Sequence, residues 1–234
     1  MLIFYYRVNV MKNKKETNTI LKYLLLTIII ICSIFRYKTL FIEPNNVLEV
    51  SISNLLYPFS FLLTILILKR TNFKETHKTI INISIIFLIF TILISIMNTI
   101  PGNYYSRDVD LYLKEILTPS YFFIKGTPIY IPNLFNILSY TILFYFSHIL
   151  LVILYEAMEP YVKKFIAFSL AMFIPYALDT ICHTTIISTV ELVEFNKLII
   201  NLTSNFVLVI IFTILITIIF CLTTIKRKSK ITTL

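Results

Sequence analysis

Residues 198–225, LIINLTSNFVLVIIFTILITIIFCLTTI, run without a single charged side chain. About 20 consecutive apolar residues are enough for a helix to cross the hydrocarbon core of a bilayer. Five further stretches, at about 20–35, 47–68, 78–98, 134–155 and 165–190, are nearly as apolar. Only 14% of the chain is charged and 58% is hydrophobic, against about a quarter charged and 45–50% apolar in soluble domains. The expected fold class is an all-α integral membrane protein. It is a bundle of six transmembrane helices forming one domain over residues 1–234, with the lipid bilayer as its surroundings.

The net charge is +9, yet nucleic acid is not an expected partner. The basic residues cluster at the ends of the apolar runs, which is the pattern of a topogenic signal. Arg7, Lys12, Lys14, Lys15 and Lys22 precede or open the first run, and Lys69, Arg70, Lys74 and Lys78 follow the second. Lys163 and Lys164 follow the fourth, and Lys226, Arg227, Lys228 and Lys230 follow the sixth. The opposite side has Arg36, Lys38, Arg107, Lys114, Lys125 and Lys197. The excess places both termini in the cytoplasm, as six crossings require. MKNKKETN from Met11 is a more ordinary cytoplasmic start than MLIFYYRVNV, so translation is expected to begin at Met11.

Several chemistries are excluded by composition. The two glycines, Gly102 and Gly126, lie in one loop, so neither a phosphate-cradling loop nor GxxxG helix packing is available. Cys32, Cys182 and Cys221 fall inside apolar runs without CxxC spacing and are read as small buried hydrophobes. No cofactor, metal or catalytic residue is expected. Asn82-Ile83-Ser84 and Asn201-Leu202-Thr203 match a glycosylation pattern but lie in or beside spans. In the loop at 99–133, YYSRDVDLYLKEIL suggests a short interfacial helix serving as a passive connector.

Two spans carry a proline near the middle. The second reads SISNLLYPFSFLLT, with Tyr57, Ser60 and Thr64 at helical spacing, Asn54 alongside, and Pro58. The fifth reads IPYALDTICHTT, with Tyr176, Asp179, Thr180 and His183 on one stripe, beside Pro175. A proline removes a backbone donor and frees the carbonyl four residues earlier. In lipid that carbonyl needs a protein or water partner. Each is the middle span of a three-span half, and halves of three spans insert in opposite orientations. Proline-interrupted segments in such places point to a midplane binding site for a small-molecule substrate. Its expected residues are Asn54, Tyr57, Ser60, Thr64, Tyr176, Asp179, Thr180 and His183.

Asp179 is the only acid deep inside any span, and inserting it costs about 2.5–3.5 kcal/mol at a helix centre. His183, one turn later, is placed to pair with it. Two readings stand: a substrate or proton site, or an acid hydrogen-bonded to a neighbouring helix as structural glue. His148 is read as core packing with its ring satisfied, and His77 as a solvated loop residue.

NLLYPFSFLLT resembles the second-span signature of the vitamin uptake transporter family, the queuosine precursor transporters, and IPYALDTICHTT resembles that family's fifth-span stretch. FSHILLVILYEAMEPYVKK is similar to its fourth span. The resemblance implies a bacterial inner-membrane uptake carrier for 7-deazapurine precursors, with Tyr57 and Tyr176 as stacking platforms. Asn54 and Thr64 would bond ring edges, and Asp179 would accept from ring N–H and amine groups. Family acids would fall at Ile65, Lys69 and Leu151, a glycine at Asn72, and a basic residue near Val207. The substrate-binding subunit of an energy-coupling-factor vitamin importer has a similar size, but its first span carries small-residue patches that YLLLTIIIICSIF lacks. A non-transporting accessory protein is a further alternative. An intramembrane enzyme lacks its glycine-flanked serine or acid cluster here.

The charge asymmetry generates a test of topology. In intact cells, an impermeant thiol reagent should label cysteines placed in residues 107–125. It should leave Lys74→Cys unlabelled until the membrane is permeabilised.

Overall fold

The computed structural model describes residues 2–34, 39–41, 49–99, 122–124, 127–129, 134–190 and 195–229, with side chains over 16–32, 54–93, 138–186, 195–196 and 198–223. In chain order the elements are α1 (Leu2–Ile34), β1 (Thr39–Phe41), β2 (Glu49–Ser51), α2 (Ile52–Leu56), α3 (Pro58–Leu68) and α4 (Phe73–Thr99). There follow β3 (Phe122–Ile124), β4 (Thr127–Ile129), α5 (Leu134–Met158), α6 (Lys164–Val190) and α7 (Phe195–Ser229).

The body is helical. Among the described residues four helices are long and apolar enough to cross a membrane, over Phe73–Leu93, Leu138–Met158, Lys164–Ile186 and Leu198–Thr223. Between 22% and 44% of each such stretch is buried inside the protein. The remainder turns side chains such as Ile89, Phe146, Leu178, Ile214 and Leu222 outward, as lipid-facing helices do. The chain is an α-helical membrane protein.

The all-α expectation needs one amendment. Two short antiparallel hairpins, β1–β2 and β3–β4, lie in the connections. β1–β2 pairs Thr39 with Ser51, Leu40 with Val50 and Phe41 with Glu49. The second span therefore does not begin as a helix at 47, because residues 49–51 are a strand. The strand pairing gives backbone groups partners before α2 starts, with β-branched Thr39 and Val50 suited to it. β3–β4 occupies part of the 99–133 loop, and the interfacial helix expected at residues 104–117 lies outside the described residues.

Other boundaries shift outward. α4 starts at Phe73, because Asn72 caps it: Asn72 Oδ1 accepts the Glu75 N–H at 2.8 Å. Asn72-Phe73-Lys74-Glu75 has the spacing of a capping sequence. His77 consequently lies on the first turns of α4, half-buried, its Nε2 3.0 Å from the Tyr145 hydroxyl, and is no solvated loop residue. α1 extends back to Leu2, and α7 runs from Phe195 to Ser229.

α3 is the centre of the bundle and touches α1, α4, α5 and α7. Phe61, Ile65 and Ile67 on it are fully buried. At the end near Lys69, the Lys69 ammonium sits 4.1 Å from the Phe220 ring centroid and 5.6 Å from that of Tyr155. Phe220 stacks on Phe168 at 4.3 Å, which ties α7 to α6. Lys164 Nζ meets Glu159 at 3.2 Å across the α5–α6 turn.

The two prolines behave differently. Pro58 splits its span into α2 and α3. Helices usually stop before a proline, since the ring crowds the preceding residue, and Pro58 then serves as the first residue of α3. Tyr57 at the junction keeps φ −55° and ψ −38°, so the helical path bends little while a backbone bond is missing. Pro175 leaves α6 continuous, so the fifth span is not interrupted.

Pro58 has no N–H to give the Asn54 carbonyl. The Tyr176 hydroxyl of α6 donates to it instead, at 3.3 Å. Tyr176→Phe should therefore cost about 1–2 kcal/mol of stability, the order of one buried carbonyl left without its donor. Unfolding of the purified protein in mixed micelles with rising SDS measures it.

Candidate functional site

A largely apolar cavity with a few polar groups in its wall opens beside that break. Its walls come from Ile29 and Cys32 on α1, Asn54 on α2, Tyr57 at the junction, and Phe87 on α4. Tyr140 and Phe144 on α5, and Tyr176, Asp179, Thr180, His183 and Thr184 on α6, complete it. Asp179 is fifteen residues beyond Lys164, where α6 begins, or about 22 Å along the helix at 1.5 Å per residue. The cavity thus lies in the half of the bundle away from the basic turns at 69–74 and 163–164.

The residues expected as a site fall into two groups. Asn54, Tyr57, Tyr176, Asp179, Thr180 and His183 line the cavity. Ser60 and Thr64 do not. Ser60 is fully buried, with its hydroxyl 2.9 Å from His148 Nε2 and 2.6 Å from the Tyr57 carbonyl. Thr64 bonds back to the Ser60 carbonyl at 2.9 Å. Helical spacing put them on one stripe with Tyr57, but successive turns of α3 face different neighbours.

Asp179 is partly buried and gathers hydroxyls from two other elements. Tyr57 Oη donates to its Oδ1 at 3.5 Å and Ser147 Oγ at 3.4 Å, with the two hydroxyls 3.2 Å apart. Ser147 also reaches the Leu143 carbonyl at 2.7 Å, the shorter of its bonds. The contacts to the carboxyl are long for hydrogen bonds between oxygens, so each is weak. His183 packs edge-on against the Tyr140 ring, with centroids 4.4 Å apart.

A second polar chain closes the opposite wall. Asn54 Nδ2 donates to Asn205 Oδ1 at 3.1 Å, and Asn205 Nδ2 donates to Thr184 Oγ1 at 3.1 Å. Asn54 therefore holds α2 against α7, and Asn205 holds α7 against α6. Ser147, Asn205, Thr184 and Tyr140 were not singled out from the sequence. The signal was there for Ser147 and Asn205, since each is a polar side chain inside an apolar run, but without a neighbouring proline or acid.

His148 is fully buried. Its Nδ1 faces the Phe144 carbonyl at 2.9 Å, so that nitrogen carries the proton, and Nε2 meets Ser60. Phe61 stacks on the ring at 4.7 Å. This pair binds α3 to α5 and stays outside the cavity. Cys32 lines the cavity, whereas Cys182 points outward from α6. Among the described residues no three His, Cys, Asp or Glu side chains converge to hold a metal.

The free space in the cavity is about 60 Å³. That is room for water and less than the roughly 150 Å³ that takes up a benzene ring. A two-ring ligand enters only if the walls part. The positions where the resembled family has acids, a glycine and a basic residue are filled differently. Ile65 and Leu151 are fully buried among apolar neighbours, and Val207 is half exposed on the outer face of α7. Lys69 packs on rings and Asn72 caps α4, as described above. Comparison with family models, with curated proteins and with solved structures finds no match to the chain.

The Ser60–His148 bond should be structural. Ser60→Ala leaves a buried ring nitrogen without its partner and should cost about 1–3 kcal/mol. Thr64→Val, which loses a bond only to its own helix, should change stability by less than about 1 kcal/mol. Unfolding of the two purified variants side by side gives the comparison.

Proposed function

We propose that the chain is a membrane carrier that takes up a small planar polar metabolite, with its ligand held between the broken α2–α3 segment and α6. Six spans, α2–α3 counting as the second, with both termini in the cytoplasm complete the reading, and the bacterial inner membrane is the proposed location. The observation that supports it is the acid deep in a span, Asp179, lining a largely apolar cavity beside a helix break. Ionisable groups in membrane spans are rare and usually functional, and broken helices in transporters mark the binding site.

The chemistry favours a flat heterocycle with adjacent N–H donors, such as the 7-deazapurine bases of the resembled family. A carboxylate accepts two parallel N–H bonds from a ring N–H and an exocyclic amine. Tyr57 and Ser147 now supply Asp179 with longer contacts that such a ligand replaces. Tyr140, Tyr176, Phe87 and Phe144 supply ring faces and edges, and Asn54 offers both a donor and an acceptor. Binding has to widen a cavity of about 60 Å³. The α2–α3 junction is the natural place for the movement, because the backbone bond there is already absent.

The long bonds from Tyr57 and Ser147 to Asp179 favour a second reading, in which the acid is helix glue in a non-transporting accessory protein. One substitution separates the two. Under the carrier reading, Asp179→Asn should insert and express at the wild-type level and lose uptake by at least about tenfold. Under the glue reading it should be tolerated, since an amide still accepts hydroxyl bonds. The substrate is tested in a strain unable to make queuosine precursors, given this protein and a low external dose of 7-deazaguanine base. Queuosine in its transfer RNA supports the ligand. Its absence, with expression confirmed, removes that substrate and leaves uptake screens of other bases and of flat vitamins to identify it.

A further inference from the structure

At the opposite, basic end of the bundle, a polar hollow of about 510 Å³ lies between α1 and α4. Asn18 and Lys22 of α1 line it, with Glu75, Lys78 and Asn82 of α4. Its volume is within the range of small-molecule sites, about 300–1,000 Å³. Two lysines against one glutamate leave an excess of one positive charge on its wall. Among the described residues neither Lys22 nor Lys78 has an ion-pair partner. The Oδ1 of Asn18 is buried and accepts no hydrogen bond from a described residue.

These features ask for a ligand with two properties. One negative charge neutralises the wall, and a hydrogen-bond donor close to that charge satisfies Asn18. The hollow also sits at a particular depth. Lys78 and Asn82 are on the first turns of the apolar stretch that begins at Phe73, and Lys22 is where the apolar part of α1 begins. That is the level of lipid headgroups at a membrane surface. Basic pockets between membrane helices on the cytoplasmic side are suited to anionic headgroups.

We propose that this hollow binds a phosphodiester whose ester group carries hydroxyls, the phosphoglycerol group. Lys22 and Lys78 hold the phosphate oxygens, and the glycerol hydroxyls donate to Asn18 Oδ1 and exchange bonds with Asn82. Glu75 lowers the affinity for higher-valent anions and sets the preference for a single charge. A choline headgroup fits neither requirement, because its net charge is zero and its quaternary nitrogen carries no N–H. The phosphoglycerol group reaches the protein either as the headgroup of phosphatidylglycerol in the bilayer or as a soluble ester.

The experiment uses the full chain, purified in a neutral detergent, and follows thermal unfolding as additive is titrated in. The additives are phosphatidylglycerol, phosphatidylcholine and soluble glycerophosphoglycerol. Phosphatidylglycerol should raise the melting temperature saturably and phosphatidylcholine should not. Lys22→Gln combined with Lys78→Gln should raise the half-saturating concentration about twenty-fivefold, from about fivefold per lysine. Glu75→Gln should lower it. A saturable response to glycerophosphoglycerol at similar concentrations assigns the site to the soluble ester, and no response to it assigns the lipid. An equal response to phosphatidylcholine, or an unchanged phosphatidylglycerol response in the double variant, overturns the proposal. If the double variant does not fold, Glu75→Gln decides: unchanged or weaker binding overturns it.

Discussion

The Asn54 carbonyl has no backbone donor, because Pro58 cannot supply one. In water this would be a minor matter, since solvent would bond the oxygen. Within a membrane the donor has to come from the protein or from a wet cavity. Here it comes from Tyr176, one residue beyond the other mid-span proline. That bond joins α2–α3 to α6 together with the Tyr57–Asp179 contact and the Phe61–Tyr176 ring contact, and the cavity lies beside them. Tyr57 lies at the break and Asp179 lies one turn along from Tyr176, so the same junction brings the tyrosine and the acid together.

Each helix around the break is held by a small number of polar bonds set among apolar contacts. Burial gives little advantage between helices when lipid is as apolar as the core, so packing and interhelical hydrogen bonds decide the arrangement. α5 contributes two adjacent residues to this. Ser147 turns to Asp179 and Tyr57, while His148 turns to Ser60. The first pair belongs to the cavity and the second to the core, and one turn of α5 fixes both. The polar atoms of His148 are satisfied away from the cavity, whereas Asp179 and His183 line it.

Apolar length made the long helices legible, because a run such as residues 198–225 has no other stable setting. It said little about where helices start. α4 begins at its Asn72 cap, ahead of the densest apolar residues, and α1 continues through the charged stretch before Ile20. The break at Pro58 was legible from the missing N–H. The same argument failed at Pro175, since a buried proline packed by neighbouring helices can be carried within a continuous helix. Within the site, Asp179 announced itself by its cost in lipid. Ser147, Asn205 and Thr184 did not, because serine, threonine and asparagine are tolerated in spans and commonly bond to their own helix. Ser60 and Thr64 fall outside the cavity wall for a related reason: sequence spacing names a face of a helix but not the helix opposite.

α7 packs along α6 through a narrow buried face, Val209, Thr213, Ile216 and Phe220. It is the most apolar of the four long stretches, with mean hydropathy 3.1, and only 22% of that stretch is buried. Its outer face, from Val207 through Ile214 to Leu222, is exposed along its length. Beside that packing, two sets of specific contacts hold it. Near the cavity, Asn205 bridges Asn54 and Thr184. Near the basic end, Phe220 is stacked by Phe168 and covered by the Lys69 ammonium. The two sets differ in kind. The aromatic one combines ring stacking with a cation–π contact and involves no cavity wall residue. The asparagine bridge passes through Asn54, a cavity wall residue, so a ligand that recruits the Asn54 amide competes with Asn205 for it. The two sets of contacts thus hold opposite halves of α7, one through a cavity wall residue and the other through aromatic packing beside Lys69.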